Sequence, residues 1–161
     1  MRWHHLGTVL SMPELKARLH SDLNTSMKAR DELTTATLRM ALTAITTEEV
    51  SGKQARELSD DEVLKVLARE EKKRREAAEA YDAAGRTELA DRERAEGEVL
   101  QGYLPAQLDD AELVELVRAA IAEAGVAGPQ QMGAVMKIVQ PRIAGRADGK
   151  RVSDEVRRQL S

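Results

Sequence analysis

Apolar residues recur at intervals of three and four along most of this chain, and this spacing constrains the fold more than any other feature. The interval is that of one face of an α-helix. It is clearest near the C-terminus, where two apolar series follow each other: Met132, Val135, Met136, Val139 and Ile143, then Val152, Val156 and Leu160. No segment alternates with the period of two that indicates a half-buried β-strand. The sequence therefore predicts an all-α protein.

The residues available for a core favour the same fold class. Hydrophobic residues make up 42% of the 161 residues, but aromatic residues only 2%, and phenylalanine is absent. The core must then consist of Leu, Val, Ala, Ile and Met, which suits the packing of helix on helix. Charged residues make up 33%, so the helices should have broad solvated faces. The absence of cysteine excludes disulfides, thiolate metal sites and a cysteine nucleophile.

Helix-start signals divide the first two thirds of the chain into four predicted helices. In chain order, these signals are the capping box Ser11-x-x-Glu14, the cap Asp31, the capping box Ser59-x-x-Glu62 and the cap Thr87. Gly52 and Gly85 are the predicted stops of the second and third helices. The first two helices have long apolar faces, so we expect them to pair in antiparallel orientation.

The third and fourth helices are predicted to form a long charged hairpin with little core at its tip. From Arg69 to Glu76 the third helix is almost wholly polar. Such a helix must project from the body or be supported by ion pairs. Glu70–Arg74 and Glu71–Arg75 have the favourable spacing for such pairs. Residues 72–75 spread around the helix and do not form a single stripe. We therefore interpret them as solvated residues rather than a nucleic-acid site.

Pro105 is predicted to separate this N-terminal helical domain, residues 12–104, from a small three-helix domain, residues 105–161. The first helix of the second domain should begin at the capping box Asp109-x-x-Glu112 and end at Gly125. Pro141 should kink or end the next helix. Residues 1–11 precede a second methionine, and we interpret them as a disordered extension, either from an upstream start or as an expression-vector remnant.

Several short motifs resemble the GatB/YqeY family. The resemblance rests on Met132-Gly133-x-Val135-Met136 and Gly145-x-Ala147-Asp148-Gly149-x-x-Val152. It extends upstream through Leu38-Arg39-Met40, the segment from Glu57 to Glu62, the run from Lys72 to Arg75, and Tyr103-Leu104-Pro105. From Met12 onward the chain is similar to stand-alone YqeY-like proteins, which share this region with the tail of the B subunit of glutamyl/aspartyl-tRNA amidotransferases.

The resemblance implies an all-helical fold, an association with tRNA-dependent amidation, and carbon–nitrogen ligase chemistry with glutamine as amido-N-donor. The amidotransferase B subunit carries out its chemistry in a large separate domain, which this chain is too short to contain. The sequence has no phosphate-binding Gly-Lys-Ser/Thr loop and no nucleophile elbow. His4, His5 and His20 lack a carboxylate partner in register. We therefore predict no catalytic residues, no metal, no cofactor and no independent catalysis.

The C-terminal stretch is basic, whereas the rest of the chain is acidic. Residues 129–161 contain seven Lys/Arg and three Asp/Glu, a net charge of +4. The other 18 basic and 25 acidic residues give residues 1–128 a net charge of −7, which is consistent with −3 for the whole chain. A basic tail on an acidic body is a signal for polyanion contact, although a short charge-rich segment can also become positive by chance.

The predicted RNA contacts are five cations: Arg146, Lys150, Arg151, Lys137 and Arg142. The first three surround the glycine-flanked start of the last helix, where backbone N–H groups and the helix dipole favour an anion. Three cations so close together repel one another, and a bound anion would relieve this repulsion. The residues of the family motif are predicted to be structural, filling the core, letting two helices approach at Gly133, or forming a turn and cap: Met132, Gly133, Val135, Met136, Gly145, Asp148 and Gly149.

Two functions remain open. In the first, the protein is associated with tRNA, and with amidotransferase or aminoacyl-tRNA machinery as further partners, and contacts the RNA backbone. In the second, it is a protein–protein adaptor that docks through the charged hairpin or the tail without RNA. No apolar run approaches the roughly 20 residues of a membrane span, so we expect a cytoplasmic protein that does not contact membranes.

Overall fold

The computed structural model describes residues 13–161, and these residues contain seven α-helices and no strand. The helices are α1 (Glu14–Lys28), α2 (Glu32–Glu49), α3 (Asp60–Ala83), α4 (Thr87–Gln101), α5 (Asp110–Ala124), α6 (Met132–Ile143) and α7 (Gly149–Leu160). The prediction of an all-α fold is confirmed. The predicted extension, residues 1–11, and the predicted cap Ser11 lie outside the described residues. The predicted capping box at the start of α1 is wrong, because Pro13 is the N-cap, without a side-chain hydrogen bond, and Glu14 is the first helical residue.

The chain divides between Leu104 and Pro105 into two compact units. The first unit contains α1 to α4. The second contains α5, a short 3-10 turn at Pro129–Gln131, α6 and α7.

Side-chain caps begin several helices at the residues that the sequence indicated. The Ser59 and Asp109 boxes are both reciprocal. The side chain of each cap accepts the backbone N–H of the Glu three residues on, and the backbone N–H of the cap donates to the carboxylate of that Glu. Asp31 accepts the N–H of Thr34 at 3.1 Å. The prediction at Thr87 is wrong by one residue, because Arg86 is the N-cap and Thr87 is already helical. Pro141 lies within α6, which continues to Ile143.

The core of the first unit lies where α1, α2, α4 and the start of α3 meet. Leucine, isoleucine and valine side chains from these helices are fully buried there, among them Leu19, Leu38, Ile45, Leu67 and Leu100. Lys16, near the start of α1, forms an ion pair of 2.9 Å with Glu49 at the end of α2. This contact shows that α1 and α2 are antiparallel, as predicted.

Farther along the hairpin, α3 and α4 pack through small side chains and buried ions. Ala78 and Ala90 are buried, as is Gly97. Arg74 is only 8% exposed, so the interpretation of residues 72–75 as solvated residues is wrong at this position. The reason is periodicity, since position 74 follows Leu67 by seven residues on the inner face of α3.

Arg74 is held by carboxylates from both helices of the hairpin. Its Nη1 donates to the backbone oxygen of Glu70 at 2.9 Å and to the carboxylate of Glu70 at 3.1 Å. Its Nε lies 3.6 Å from the carboxylate of Glu96, and Glu96 is itself buried and also contacts Arg92 at 3.4 Å. A buried charge is tolerated only when it is paired in this way. The hairpin is therefore joined by an ion cluster in place of large apolar side chains.

We expect Arg74→Ala to lower the free energy of unfolding by about 3 kcal/mol, because it leaves buried carboxylates without their main cation. The neighbouring Arg75 is the matched control. It is half-exposed in a pair with Glu71, so Arg75→Ala should cost at most about 0.5 kcal/mol. Urea denaturation followed by circular dichroism measures both values. Equal losses in the two variants would contradict the structural role of Arg74.

A second charged contact fixes the start of α3. Arg56, in the loop after α2, donates to both carboxylate oxygens of Glu62, at 2.9 and 2.6 Å. The N–H of Ser59 also donates to this carboxylate, at 3.1 Å. The guanidinium, followed by the backbone N–H, lowers the pKa of Glu62 from 4.5 to about 2.

The stability contributed by this contact should depend on pH in a defined window. Since the pKa of Glu62 is lower in the folded protein, the contact stabilises the fold above pH 4.5 and is lost as the pH falls towards 2. We expect Arg56→Gln to be less stable than the natural protein at pH 7. The difference should shrink between pH 4.5 and 2 in thermal melts at fixed ionic strength. A pH-independent difference would show that the charge of Glu62 is not its cause.

Candidate functional site

Arg146, the first of the predicted RNA contacts, joins the segment before α5 to the turn after α6. Its Nε donates to the carbonyl oxygen of Ala106 at 2.9 Å, and its Nη2 lies 3.9 Å from the carboxylate of Glu112. Its own carbonyl oxygen accepts the N–H of Leu108 at 2.7 Å. Both the backbone and the side chain of Arg146 thus hold the second unit together.

The other four predicted cations differ in how they are engaged. Arg151 lies 2.9 Å from the carboxylate of Asp110, and Arg142 forms an ion pair with Glu123. Both of these carboxylates belong to α5. Lys150 forms an exposed pair of 2.9 Å with Asp154, four residues on in the same helix. Lys137 is exposed and has no hydrogen bond or ion pair with any other residue of the described range 13–161.

The start of α7 is therefore neutralised within the protein. Arg146, Lys150 and Arg151 each have a carboxylate partner, so their mutual repulsion does not require an external anion. Asp148 caps the helix and accepts the N–H of Lys150 at 3.4 Å. The role of the five cations in RNA contact stays a prediction, but their number alone no longer supports it.

The outer face of α7 carries two further cations that were not among the predicted RNA contacts. Val152, Val156 and Leu160 are buried on the inner face. On the outer face, exposed side-chain fractions are 82% for Lys150, 62% for Arg157 and 63% for Arg158. We call these three residues the α7 basic face. Arg157 and Arg158 follow Lys150 by seven and eight residues, so a helical projection of the sequence would have placed all three together.

Ion pairs within α7 leave this face available to a ligand. Asp154 contacts both Lys150 and Arg157, at 2.9 and 3.0 Å. Arg158 pairs with Glu155, which is mostly buried. The two exposed pairs of Asp154 contribute only about 0–1 kcal/mol each, and Arg158 is itself 63% exposed, so a phosphate can compete for the cations.

The residues of the family motif have separate local roles. Val135 is fully buried, and Met132 and Met136 pack against the core of the second unit. Gly145 has a φ of +78°, a conformation that favours glycine. The expectation that Gly133 lets two helices approach is wrong. Gly133 is exposed, and an added Cβ would meet no atom within 4 Å.

Comparison with known proteins identifies the group to which the chain is related. Residues 16–160 match the family described as "Yqey-like protein". The chain belongs to this family. An uncharacterized protein of Schizosaccharomyces pombe is 32% identical over 103 residues, which cover 63% of this chain and 81% of the relative. "Altered inheritance of mitochondria protein 41, mitochondrial" of Pyrenophora tritici-repentis is 32% identical over 145 residues, which cover 86% of this chain and 77% of the relative.

The first unit of this YqeY-like chain has a separate polar groove between α3 and α4, with a volume of about 380 Å³. Its two arginines are engaged within the hairpin, Arg75 with Glu71 and Arg94 with Asp82 and Asp91. Burial, and then the charge of Glu96, raise the pKa of Glu93 in this groove. Among residues 13–161, no three His, Asp or Glu side chains are grouped so as to hold a metal ion.

A further ionisable contact joins α1 to the end of the first unit. The hydroxyl of Tyr103 donates to Asp22 at 2.5 Å, and the guanidinium of Arg18 lies 4.6 Å from the centre of the ring. Burial and the hydrogen bond to Asp22 raise the pKa of Tyr103. The contact keeps the phenol protonated and ties Tyr103 to α1. No helix within the described range is both long and apolar enough to cross a lipid bilayer.

Arg146 and Lys150 make different contacts, and this difference can be tested by measuring the free energy of unfolding of two variants. Arg146→Ala removes a hydrogen bond to Ala106 and a contact with Glu112, so we expect a loss of about 1–2 kcal/mol in urea denaturation. Lys150→Ala removes only an exposed pair and should change stability by less than about 0.5 kcal/mol. The reverse order would show that the turn does not depend on Arg146.

Proposed function

We propose that this YqeY-like protein is a non-catalytic, tRNA-associated protein that contacts the RNA backbone through the α7 basic face. The observation that carries the proposal is the separation of α7 into a buried apolar face and an exposed face with Lys150, Arg157 and Arg158. Only one exposed carboxylate, Asp154, lies among these cations. Such an arrangement suits contact with a chain of phosphates.

The composition of the second unit supports contact with phosphates rather than with bases. Residues 105–161 contain no Phe, Trp or Tyr, so aromatic stacking on single-stranded bases is not available. Phosphate contacts position a protein on folded RNA by shape and carry little sequence information. We therefore propose recognition of a folded RNA by its backbone, with weak dependence on sequence.

The predicted cations then divide into two groups. Lys150 belongs to the contact surface, and the exposed Lys137 on α6 is a further candidate. Arg142, Arg146 and Arg151 form ion pairs with α5, and we propose that they hold α6, the following turn and the start of α7 against α5. Their contribution to RNA binding would thus be indirect.

The choice of tRNA, and the link to tRNA-dependent amidation, rest on the similarity of the second unit to the tail of the amidotransferase B subunit. In this proposal the chain acts beside amidotransferase or aminoacyl-tRNA machinery, which would supply the ligase activity. A cytoplasmic location is part of the proposal. The name of the Pyrenophora relative makes a mitochondrial location the alternative.

The proposal predicts a specific loss of salt dependence. Changing Lys150, Arg157 and Arg158 together to Gln should remove about three phosphate contacts. The slope of log affinity against log salt concentration should then become shallower by about 2.7 on a duplex, and by less on single strands, because each contact contributes about 0.9 or 0.7. Fluorescence anisotropy with a tRNA transcript from about 50 to 200 mM salt measures the slope.

The matched control changes three exposed cations of α3 to Gln, namely Lys72, Lys73 and Arg75, and keeps the buried Arg74. This variant has the same net charge as the test variant but should retain most of the slope. If the natural protein binds no tRNA at low salt, or the α7 variant keeps its slope, the proposal is wrong. A protein–protein adaptor would then be the better account.

A further inference from the structure

After the exposed Glu32 at its start, the outer side of α2 has a single charged residue, although charged residues make up 33% of the chain. From Arg39 onward, the exposed residues of α2 and its C-cap lie within about 120° of the helix circumference. They are Arg39, Met40, Thr43, Thr46, Thr47 and Val50, and we call them the α2 strip. The strip is about 17 Å long and contains one cation and no carboxylate.

Large exposed hydrophobic side chains concentrate at this strip. Met40 is 40% exposed and Val50 60% exposed. Met27, also 40% exposed, lies against the strip because its sulfur is 3.2 Å from Nη2 of Arg39. Among residues 13–161, only Leu89 is a comparably exposed large hydrophobic residue elsewhere. Clustered exposed apolar groups mark interaction sites, and methionine adapts its shape to a partner.

The threonines of the strip are poorly suited to a merely solvated helix. Thr43, Thr46 and Thr47 have lower helix propensity than the Lys, Glu or Ala that would serve at exposed positions. Their branched side chains are already restricted at χ1. Covering them therefore costs less side-chain entropy than covering Lys or Glu. These residues favour contact over solvation.

Arg39 shows which charge a partner must bring. The only hydrogen bond of its side chain within residues 13–161 is to the sulfur of Met27, and a thioether is a weak acceptor. No carboxylate of this range lies within ion-pair distance of Arg39. A guanidinium beside the exposed Met27, with no carboxylate partner, is complementary to an acidic group on an apolar surface.

We propose that the α2 strip docks a segment of a partner protein that presents apolar side chains to Met27, Met40 and Val50 and a carboxylate to Arg39. A second copy of this chain fits poorly, because the strip has no carboxylate to offer in return, and Glu32, the exposed carboxylate two turns earlier on this side of α2, contacts Arg92. RNA fits poorly as well, because one cation neutralises about one phosphate. The strip is on the first unit and the α7 basic face is on the second, so the two surfaces can be tested separately.

The test uses the full chain with a photo-crosslinking amino acid at Thr47, in lysate from the source cells. We expect one discrete adduct with a protein, and the crosslinked peptide should contain Asp or Glu within one helical turn of the attachment point. Arg39→Glu should reduce the adduct about tenfold, the size of a hot-spot loss. Changing that Asp or Glu of the partner to Lys should restore the adduct with Arg39→Glu.

Two lysine pairs separate docking from folding. Thr43→Lys with Thr46→Lys should keep the helix, since lysine has the higher propensity, and should abolish the adduct by charge and bulk. Ser21→Lys with Thr25→Lys adds the same charge to exposed positions of α1 and should leave the adduct unchanged. Circular dichroism confirms that both variants are folded. No discrete adduct, an adduct with RNA or a second copy, or equal adducts in both variants would overturn the proposal.

Discussion

The structure depends on a core that has almost no aromatic side chains. Leu, Ile and Val fill the region around Leu38 and Leu67, but α3 and α4 extend beyond it. There the helices meet through Ala78, Ala90 and Gly97, which bury little apolar area. Arg74 and its carboxylate partners occupy the remaining inner positions. The hairpin therefore needs buried ion pairs because its packing surface is made of small residues.

Charged residues serve two purposes in this chain, and only the contacts distinguish them. In the second unit, Arg146 and Arg151 engage α5 and its preceding segment, and in the first unit Arg74 joins two helices. Within residues 13–161, Arg157 and Arg158 pair only with residues of their own helix. The first group is needed for the fold, whereas the second can exchange its partners for a ligand at small cost.

Features that depend on nearby residues could be predicted from the sequence. The helices and the caps at Asp31, Ser59 and Asp109 follow from spacing and from hydrogen bonds over two or three residues. The burial of Arg74 against Glu96 could not be assigned, because the partner is 22 residues away on another helix. The contact of Arg146 with Ala106 spans 40 residues and left no signal in the local sequence. The α7 basic face could have been predicted from the helical repeat, because Arg157 and Arg158 follow Lys150 by seven and eight residues. The prediction instead placed the RNA contacts around the start of the helix.

The small residues and ions of the α3–α4 hairpin also affect how the first unit responds to temperature. The heat capacity of unfolding rises mainly with exposed apolar area, and the hairpin beyond Leu67 buries little of it. The desolvation penalty of ion pairs falls as temperature rises. The stability of the hairpin should therefore vary less with temperature than that of the leucine-rich core, so that cooling weakens the core more than the hairpin.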